Sequence, residues 1–341
     1  AKWVLDADIK GFFDNINHDW LLANVRMNKR VLKQWLRCGV VEQSQLQPTD
    51  AGTPQGGIIS PLLANLTLDG LERGLEKLIR SLKTPKKSPN PKVNLVRYAD
   101  DFVVTGDSKE LLEAVVQPYV ETFLRERGLE LQMAKTRIVH IDEGFDFLGW
   151  NFRKYSEKLL IKPSRKNVKA FYGKVSEVIA SHLSRPKVDL IQKLNPILKG
   201  WAMYHQGVVA KATFTKLDHQ ILWRLWRWGM RRHSRWTRGK VFQHYWTHTS
   251  GRWEFEAKTR NRWDEEMQLR LYTLADTKIV RHKKVMGKYN PYDPVWEVYG
   301  ERLKRNRMVQ TVWSGQRLEL WMIQNGKCAH CGTDMDHEDS G

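Results

Sequence analysis

The chain has 341 residues and carries 57 Lys and Arg against 38 Asp and Glu, a net charge of +19. That length supports two or three domains with a sizeable core, and the charge points to a polyanion as partner, because each neutralised phosphate releases counterions. Three cysteines are too few for a disulfide framework, and with no signal peptide, bilayer-length apolar run or lipidation signal the sequence predicts a soluble, intracellular (cytoplasmic) protein without a membrane partner.

Residues 2–9 read as a strand built on Trp3, Val4, Leu5 and Ile9, ending in Asp6-Ala7-Asp8-Ile9-Lys10-Gly11-Phe12-Phe13-Asp14. Apolar spacing predicts a helix over 19–37 and a second one opened by Ser60-Pro61, with Ser60 as N-cap and Pro61 at N1, running through Leu78. Between them lies a loop ending in Thr53-Pro54-Gln55-Gly56-Gly57. Lys83 to Lys92 is rich in Pro and Lys and reads as an exposed loop. Residues 108–127 read as another amphipathic helix ending at Gly128, and strand-like segments follow at 129–141 and 145–152. The order suits an α+β sandwich, one antiparallel sheet with helices on one face. Cys38 reads as a buried small apolar residue.

Tyr98-Ala99-Asp100-Asp101 interrupts an apolar strand pattern with two adjacent carboxylates. A flat strand buries one of them at high cost, whereas a tight hairpin turn holds both at a tip. Asp at a β-turn is an ordinary occurrence. If the first strand neighbours this hairpin, however, Asp8 comes close to Asp100 and Asp101. Three clustered carboxylates repel one another unless cations sit between them, which makes a pair of Mg²⁺ ions the natural partner.

After about residue 153 the texture changes. Residues 151–260 hold 24 Lys and Arg against 6 Asp and Glu, so nearly all the excess charge lies here, and eight of the 15 Trp fall between Trp201 and Trp263. Helical periodicity is visible over 164–184, 189–206 and 214–232. Trp201 and Trp223 fall on apolar spacing and read as packing. Lys162, Lys166, Lys169, Arg224, Arg227, Arg231 and Arg232 read as a surface for phosphates. From 235 onward the pattern is basic and aromatic without clear periodicity.

Asp8 to Ile16, Thr53 to Pro61, Tyr98 to Asp101, Lys135 and Phe147-Leu148-Gly149-Trp150, in that order, resemble the palm of a reverse transcriptase over residues 1–153. Leu194-Asn195-Pro196-Ile197-Leu198-Lys199-Gly200-Trp201-Ala202-Met203-Tyr204-His205 and the run Trp223 to His233 resemble the maturase, or thumb, domain of group II intron-encoded proteins. The resemblance implies a right-hand polymerase palm (1–153), an all-α thumb/maturase domain (154–245), a small basic DNA-binding region (246–318) and the start of an HNH endonuclease domain (319–341).

It further implies an RNA-directed DNA polymerase using Mg²⁺ and deoxynucleotides. Such a protein binds its intron RNA, assists splicing, and copies the intron at a nicked target DNA. Its setting would be a bacterial ribonucleoprotein. Asp8 and Asp100 resemble the metal-binding acids and Asp101 the supporting third. Phe13 matches the aromatic that crowds the sugar 2′ position, and Gln55 and Gly56 match the nucleotide contact. Lys135 resembles a cation near the triphosphate, although its spacing equally suits a solvated strand-end lysine. Phe147, Leu148 and Gly149 resemble the segment gripping the primer.

Cys328 and Cys331 are spaced as half of a tetrahedral Zn²⁺ site. The second pair is absent, and neither His330 nor His337 is a convincing substitute, so endonuclease activity is implied for a longer parent protein and incomplete here. The triphosphate-clamping fingers of the family are also missing from this sequence, and both ends look cut from something longer, so the chain as written is not expected to polymerise well alone. Retron, diversity-generating and CRISPR-linked reverse transcriptases are the alternatives within polymerases. An RNA-binding splicing cofactor with a structural polymerase domain is the alternative outside them.

Overall fold

A computed structural model describes the chain except for residues 43–44, 48–50, 54–56, 83–90, 250, 261–263, 282–283, 312–315, 325 and 334–341. The chain divides into two compact units, residues 1–169 and 170–341. The division falls after residue 169, where the sequence reading places it after 153.

The first unit begins with β1 (Trp3–Ala7) and the short helices α1 (Phe12–Asn15), α2 (His18–Asn24) and α3 (Lys29–Leu36). The single helix expected over 19–37 is thus two. Val25 turns extended at the end of the first, and Asn28 starts the second, its side-chain oxygen accepting from the backbone N–H of Arg30 and Val31. After the hairpin β2 (Val40–Glu42) and β3 (Gln45–Gln47) come α4 (Ser60–Leu68) and α5 (Leu71–Ser81). Gly70, at φ +91°, breaks this second expected helix. The N-cap of α4 is Ile59 rather than Ser60, with Pro61 in the first turn. Then follow β4 (Asn94–Tyr98), β5 (Asp101–Gly106), α6 (Lys109–Leu111), a π-helical turn (Leu112–Val116), α7 (Gln117–Arg125) and β6 (Arg137–His140). The unit closes with the three-stranded meander β7 (Phe145–Phe147), β8 (Trp150–Tyr155) and β9 (Lys158–Pro163).

β4, β5, β1 and β6 form one antiparallel sheet in that order. Because side chains alternate across a strand, the two faces separate cleanly. Leu5, Ala7, Phe102 and Val104 point into the main core with Leu21, Leu32, Leu63, Leu71, Val120 and Leu124 of the helices. On the opposite face Val4 and Val103 meet Phe145, with Phe147 and Phe152 packed against them. The α+β palm with helices on one face is therefore as expected. Cys38 is not in the core. It is exposed just past α3, where its thiol donates to the Trp35 carbonyl at 3.0 Å, because Leu36 takes the buried position of that last turn.

The second unit is built on α8 (Arg165–Ser181), whose first turn still belongs to the first unit, with α9 (Lys187–His205), α10 (Lys211–Arg232) and α11 (Arg238–Tyr245). Leu190, Leu194, Leu198, Ala202 and His205 line the buried stripe of α9; Phe214, Leu217, Ile221, Leu225 and Trp228 line that of α10. Trp201 is packing, as expected: its ring stacks on Phe171 at 4.2 Å. Trp223 is not. It lies between the buried positions 221 and 225 and is 49% exposed, its indole N–H donating to His219 Nε2 at 2.8 Å.

The run after 245 is an antiparallel sheet, β10 (Trp246–Thr249), β11 (Arg252–Arg260) and β12 (Glu266–Arg270). It continues from the helices rather than standing apart. Asn195 of α9 donates to the Arg270 carbonyl at 2.8 Å and accepts from the Tyr272 N–H at 2.8 Å. Asp218 of α10 accepts from the N–H groups of Leu274 and Ala275 at 2.9 and 2.8 Å. Helices α12 (Glu297–Thr311) and α13 (Gln316–Ile323) follow. Among the described residues no helix is long and apolar enough to cross a membrane.

Candidate functional site

Asp6 and Asp8 lie on the face of the palm sheet opposite the helices, two residues apart on and just past β1. The register Asp6↔Val103, Ala7↔Phe102, carried one position further, sets Asp8 across from Asp101. Asp100 precedes Asp101 in a two-residue turn, since Tyr98 pairs with Asp101. The turn is held from outside: Arg97 donates to the Ala99 carbonyl at 2.9 Å and to Asn65 of α4 at 3.1 Å. The sequence therefore brings Asp8, Asp100 and Asp101 together at one end of the sheet. Electrostatics records it: burial first, then the charges of Asp100, Asp8 and Asp6, push the Asp101 carboxyl above the usual carboxylate range.

Two cations face these acids. Lys135, in the turn before β6, places Nζ 2.6 Å from Asp8 Oδ2, and Arg137 Nε lies 3.1 Å from Asp6 Oδ2. Burial raises the Asp6 carboxyl and Arg137 opposes it; Asp146 beside β7 adds repulsion, so the Phe147-Leu148-Gly149 turn belongs to the same neighbourhood. That turn is tight, with Phe147 paired to Trp150 and positive φ at both Leu148 (+48°) and Gly149 (+78°). The Gly149 carbonyl accepts from the Ser164 N–H at 2.9 Å, tying the turn to the end of β9.

Among the described residues no three His, Cys, Asp or Glu side chains stand together as a ready metal cage. Asp8 is paired instead with the Lys135 ammonium at 2.6 Å. The donor set still fits a hard cation in kind, since it is carboxylate oxygen throughout and its members repel one another.

Phe12 is buried and Phe13 half-buried, ring edge to ring face at 5.3 Å. Phe13 also anchors the loop toward Gln55. Its carbonyl accepts from the Thr53 N–H at 2.6 Å, and Gly52, at φ +81°, lies so close that a Cβ would stand 2.4 Å from the same oxygen. Gln55 and Gly56 themselves lie outside the described residues.

The seven basic candidates are spread over both units. Lys162 is half-buried on β9, its ammonium 5.0 Å from the Tyr155 ring centre, while Lys166 and Lys169 are exposed on the first turns of α8. Arg224, Arg227 and Arg231 are spaced i, i+3, i+7 along α10, so they share one face. Arg227 and Arg231 are exposed and Arg224 is half-buried. Arg232 is tied into the fold: its guanidinium donates to the carbonyls of Leu183 and Arg185 and lies over Trp228.

Beside the arginine face the structure adds an aromatic groove of about 530 Å³ lined by Trp223, Trp226, Phe242 and Trp246, with Arg238 at its edge. Sequence reading missed it because its two sides come from α10 and from α11 with β10. At the far end Cys331 Sγ lies 2.9 Å from Thr333 Oγ1, and hydrogen bonds, to Thr333 first and then Cys328, hold its thiol below the usual range. Cys328, Cys331 and exposed His330 gain no further ligand among the described residues, so the zinc expectation rests on two thiols alone. His337 lies outside the described residues.

Residues 1–152 match the reverse transcriptase (RNA-dependent DNA polymerase) family, and residues 168–246 match the group II intron maturase-specific domain. The two matches follow one another in the order of the two structural units. Together the two matches support a group II intron-encoded reverse transcriptase and maturase. Among its curated relatives, the group II intron-encoded protein LtrA of Lactococcus lactis subsp. cremoris is 26% identical over 236 residues, 52% of this chain and 39% of the relative. Protein YkfC of Escherichia coli K12 is 29% identical over 176 residues, 44% of this chain and 46% of the relative. The chain thus spans less than half the length of these two relatives. Among solved structures, the telomerase of Candida albicans with a fragment of telomeric RNA aligns at a TM-score of 0.38 and 13% identity, over 71% of this chain and 47% of that one.

Proposed function

We propose that this chain copies RNA into DNA with its first unit and binds intron RNA, assisting its splicing, with its second. The observation that carries the reading is the convergence of Asp8, Asp100 and Asp101 at the open end of an antiparallel sheet. It stands in a chain whose second unit presents a basic face and an aromatic groove.

Asp8, Asp100 and Asp101 would hold Mg²⁺ through carboxylate oxygens. When bound, the ions supply acidification of the primer 3′-hydroxyl and neutralisation of the departing pyrophosphate. The protein's own part is positional. Phe13 crowds the sugar 2′ position and favours deoxynucleotides. Gln55 and Gly56 contact the incoming nucleotide. Lys135 offers a cation to the triphosphate, and Phe147, Leu148 and Gly149 grip the primer beside Asp146.

In the second unit, eight Lys and Arg and no Asp or Glu lie between Asp218 and Glu254. With no carboxylates to neutralise them locally, Arg224, Arg227 and Arg231 are available for phosphates, and Lys162, Lys166 and Lys169 extend the same reading in the first unit. Target DNA is the substrate of the longer protein in this reading, with target-primed synthesis during intron mobility. Cleavage by an HNH domain beginning near Cys328 and Cys331 belongs to that longer protein too.

The test is primer extension on an RNA template by the full-length protein. Asp100→Ala is expected to abolish extension while leaving RNA binding intact. Equal extension by wild type and Asp100→Ala would sink the polymerase assignment.

A further inference from the structure

On the face of the palm sheet opposite the helices, two acids on and just past β1 meet two cations on and before β6. Asp6 and Asp8 are two residues apart along β1; Arg137 and Lys135 are two residues apart on and before β6. Asp6 lies directly across from Arg137 in the β1–β6 register, and Lys135 reaches Asp8 at 2.6 Å. Opposite charges facing each other across strands stabilise a sheet. The two pairs differ in how their backbones are held. Arg137 is part of the β6 ladder and presents a planar fork. Lys135 is in the turn before the ladder, its N–H bonded to the Gln132 carbonyl, and its side chain is 68% exposed. On its other side Asp8 faces Asp101 and Asp100, whose charges push back.

We infer that Lys135 is a built-in counter-ion for Asp8, which a divalent cation must displace before Asp8 can act as its ligand. Lys135 is a positioning residue in this account. It holds the Asp8 carboxylate in place against the repulsion of Asp101 and Asp100, and by competing for the same oxygen it sets how tightly a cation binds. Once displaced, its flexible stem leaves the ammonium free to turn toward a nucleotide's phosphates. The inference rests on the proposed cation site at Asp8.

The experiment is Mn²⁺ binding to the full-length protein without nucleotide or nucleic acid, followed by electron paramagnetic resonance. Removing an exposed competing ammonium in Lys135→Gln is expected to tighten Mn²⁺ binding roughly 1.5- to 5-fold. Lys135→Arg restores a cation and is expected to bind Mn²⁺ as weakly as wild type. Asp8→Asn is expected to weaken binding in both the wild-type and Lys135→Gln backgrounds. If Asp8→Asn weakens binding but Lys135→Gln leaves it unchanged or weaker, the counter-ion role is overturned and the cation site stands. If Asp8→Asn has no effect in either background, Asp8 does not hold the ion and both readings fall.

Discussion

Ala99 and Leu148 hold the same position in two different hairpins: each is the first residue of a two-residue turn, and each has a positive φ, +54° and +48°. Neither residue type is comfortable there, since a side chain in the left-handed region costs roughly 1–2 kcal/mol. Both turns border the acid cluster, one carrying Asp100 and the other following Asp146. Ala99→Gly removes the Cβ from a conformation Gly adopts freely, so it is expected to stabilise the first unit by about 0.5–1 kcal/mol. The urea midpoint reads this directly, and a destabilised variant would contradict it. Leu148→Gly separates strain from function: the fold should hold while primer extension falls, if the leucine side chain touches the primer.

Asn195 gives a second prediction. In the sequence it belongs to the run that resembles a maturase domain. In the structure its amide brackets the chain at Arg270 and Tyr272. Asn195→Ala leaves a carbonyl and an N–H without these partners and is expected to cost about 1–2 kcal/mol. Asn195→Asp keeps the acceptor for Tyr272 but loses the donor for Arg270, so it should cost more than half as much. Hydrogen exchange at the Tyr272 amide is the readout; an unchanged rate in Asn195→Ala would refute the bracket.

Much of the palm and of the helical part of the second unit is legible in the sequence because one physical rule dominates each element. Alternation fixes β1, and the adjacent acids force a turn at Asp100. Apolar spacing gives α8, α9 and α10 to within a few residues. The failures have equally local causes. The break at Gly70 hides because Leu68 and Leu71 are both buried, so the periodicity runs through it. The sheet β10–β12 hides because β11 carries half-buried Glu254 and buried Glu256, which reads as a polar loop. Their charges are met by Arg252, at 2.8 Å from Glu254, and Arg270, at 3.3 and 3.4 Å from Glu254 and Glu256. The Arg270 pairing, which crosses from β12 to β11, cannot be seen in either strand alone. The Lys135–Asp8 pair hides for the same reason, its partners being 127 positions apart.

His205 ties the second unit to pH. It is fully buried at the end of α9, and burial lowers its imidazole pKa to about 4. The folded state therefore keeps it neutral where the unfolded chain, near 6.5, binds a proton. Stability is complete above that unfolded value. It is lost as pH falls from about 6.5 toward about 4 and then levels off, a total of about 3 kcal/mol for this one group. Urea titrations at pH 7 and pH 4.5 on wild type and His205→Phe check the sign. The variant should lose less stability than wild type over that interval. An equal loss would mean that other groups carry the acid sensitivity.

Trp223 and its neighbours on α10 separate two kinds of RNA contact. In the proposed reading the arginines at 224, 227 and 231 meet phosphates, which single-stranded and duplex RNA both offer. Trp223 is half-exposed at the edge of the aromatic groove and can meet only a base that is free to unstack. Stacking on an aromatic ring is worth roughly 1–3 kcal/mol per base. Trp223→Ala is therefore expected to weaken single-stranded RNA binding by at least about fivefold, leaving duplex RNA binding and the salt slope unchanged. Replacing the three arginines by Gln should instead weaken both RNAs and lower the salt slope by about 2–3. Fluorescence anisotropy with one single-stranded and one duplex oligonucleotide, each at several salt concentrations, gives all four quantities. If Trp223→Ala weakens duplex and single strand alike, the groove is not a base-stacking surface and the tryptophan acts through the fold of α10.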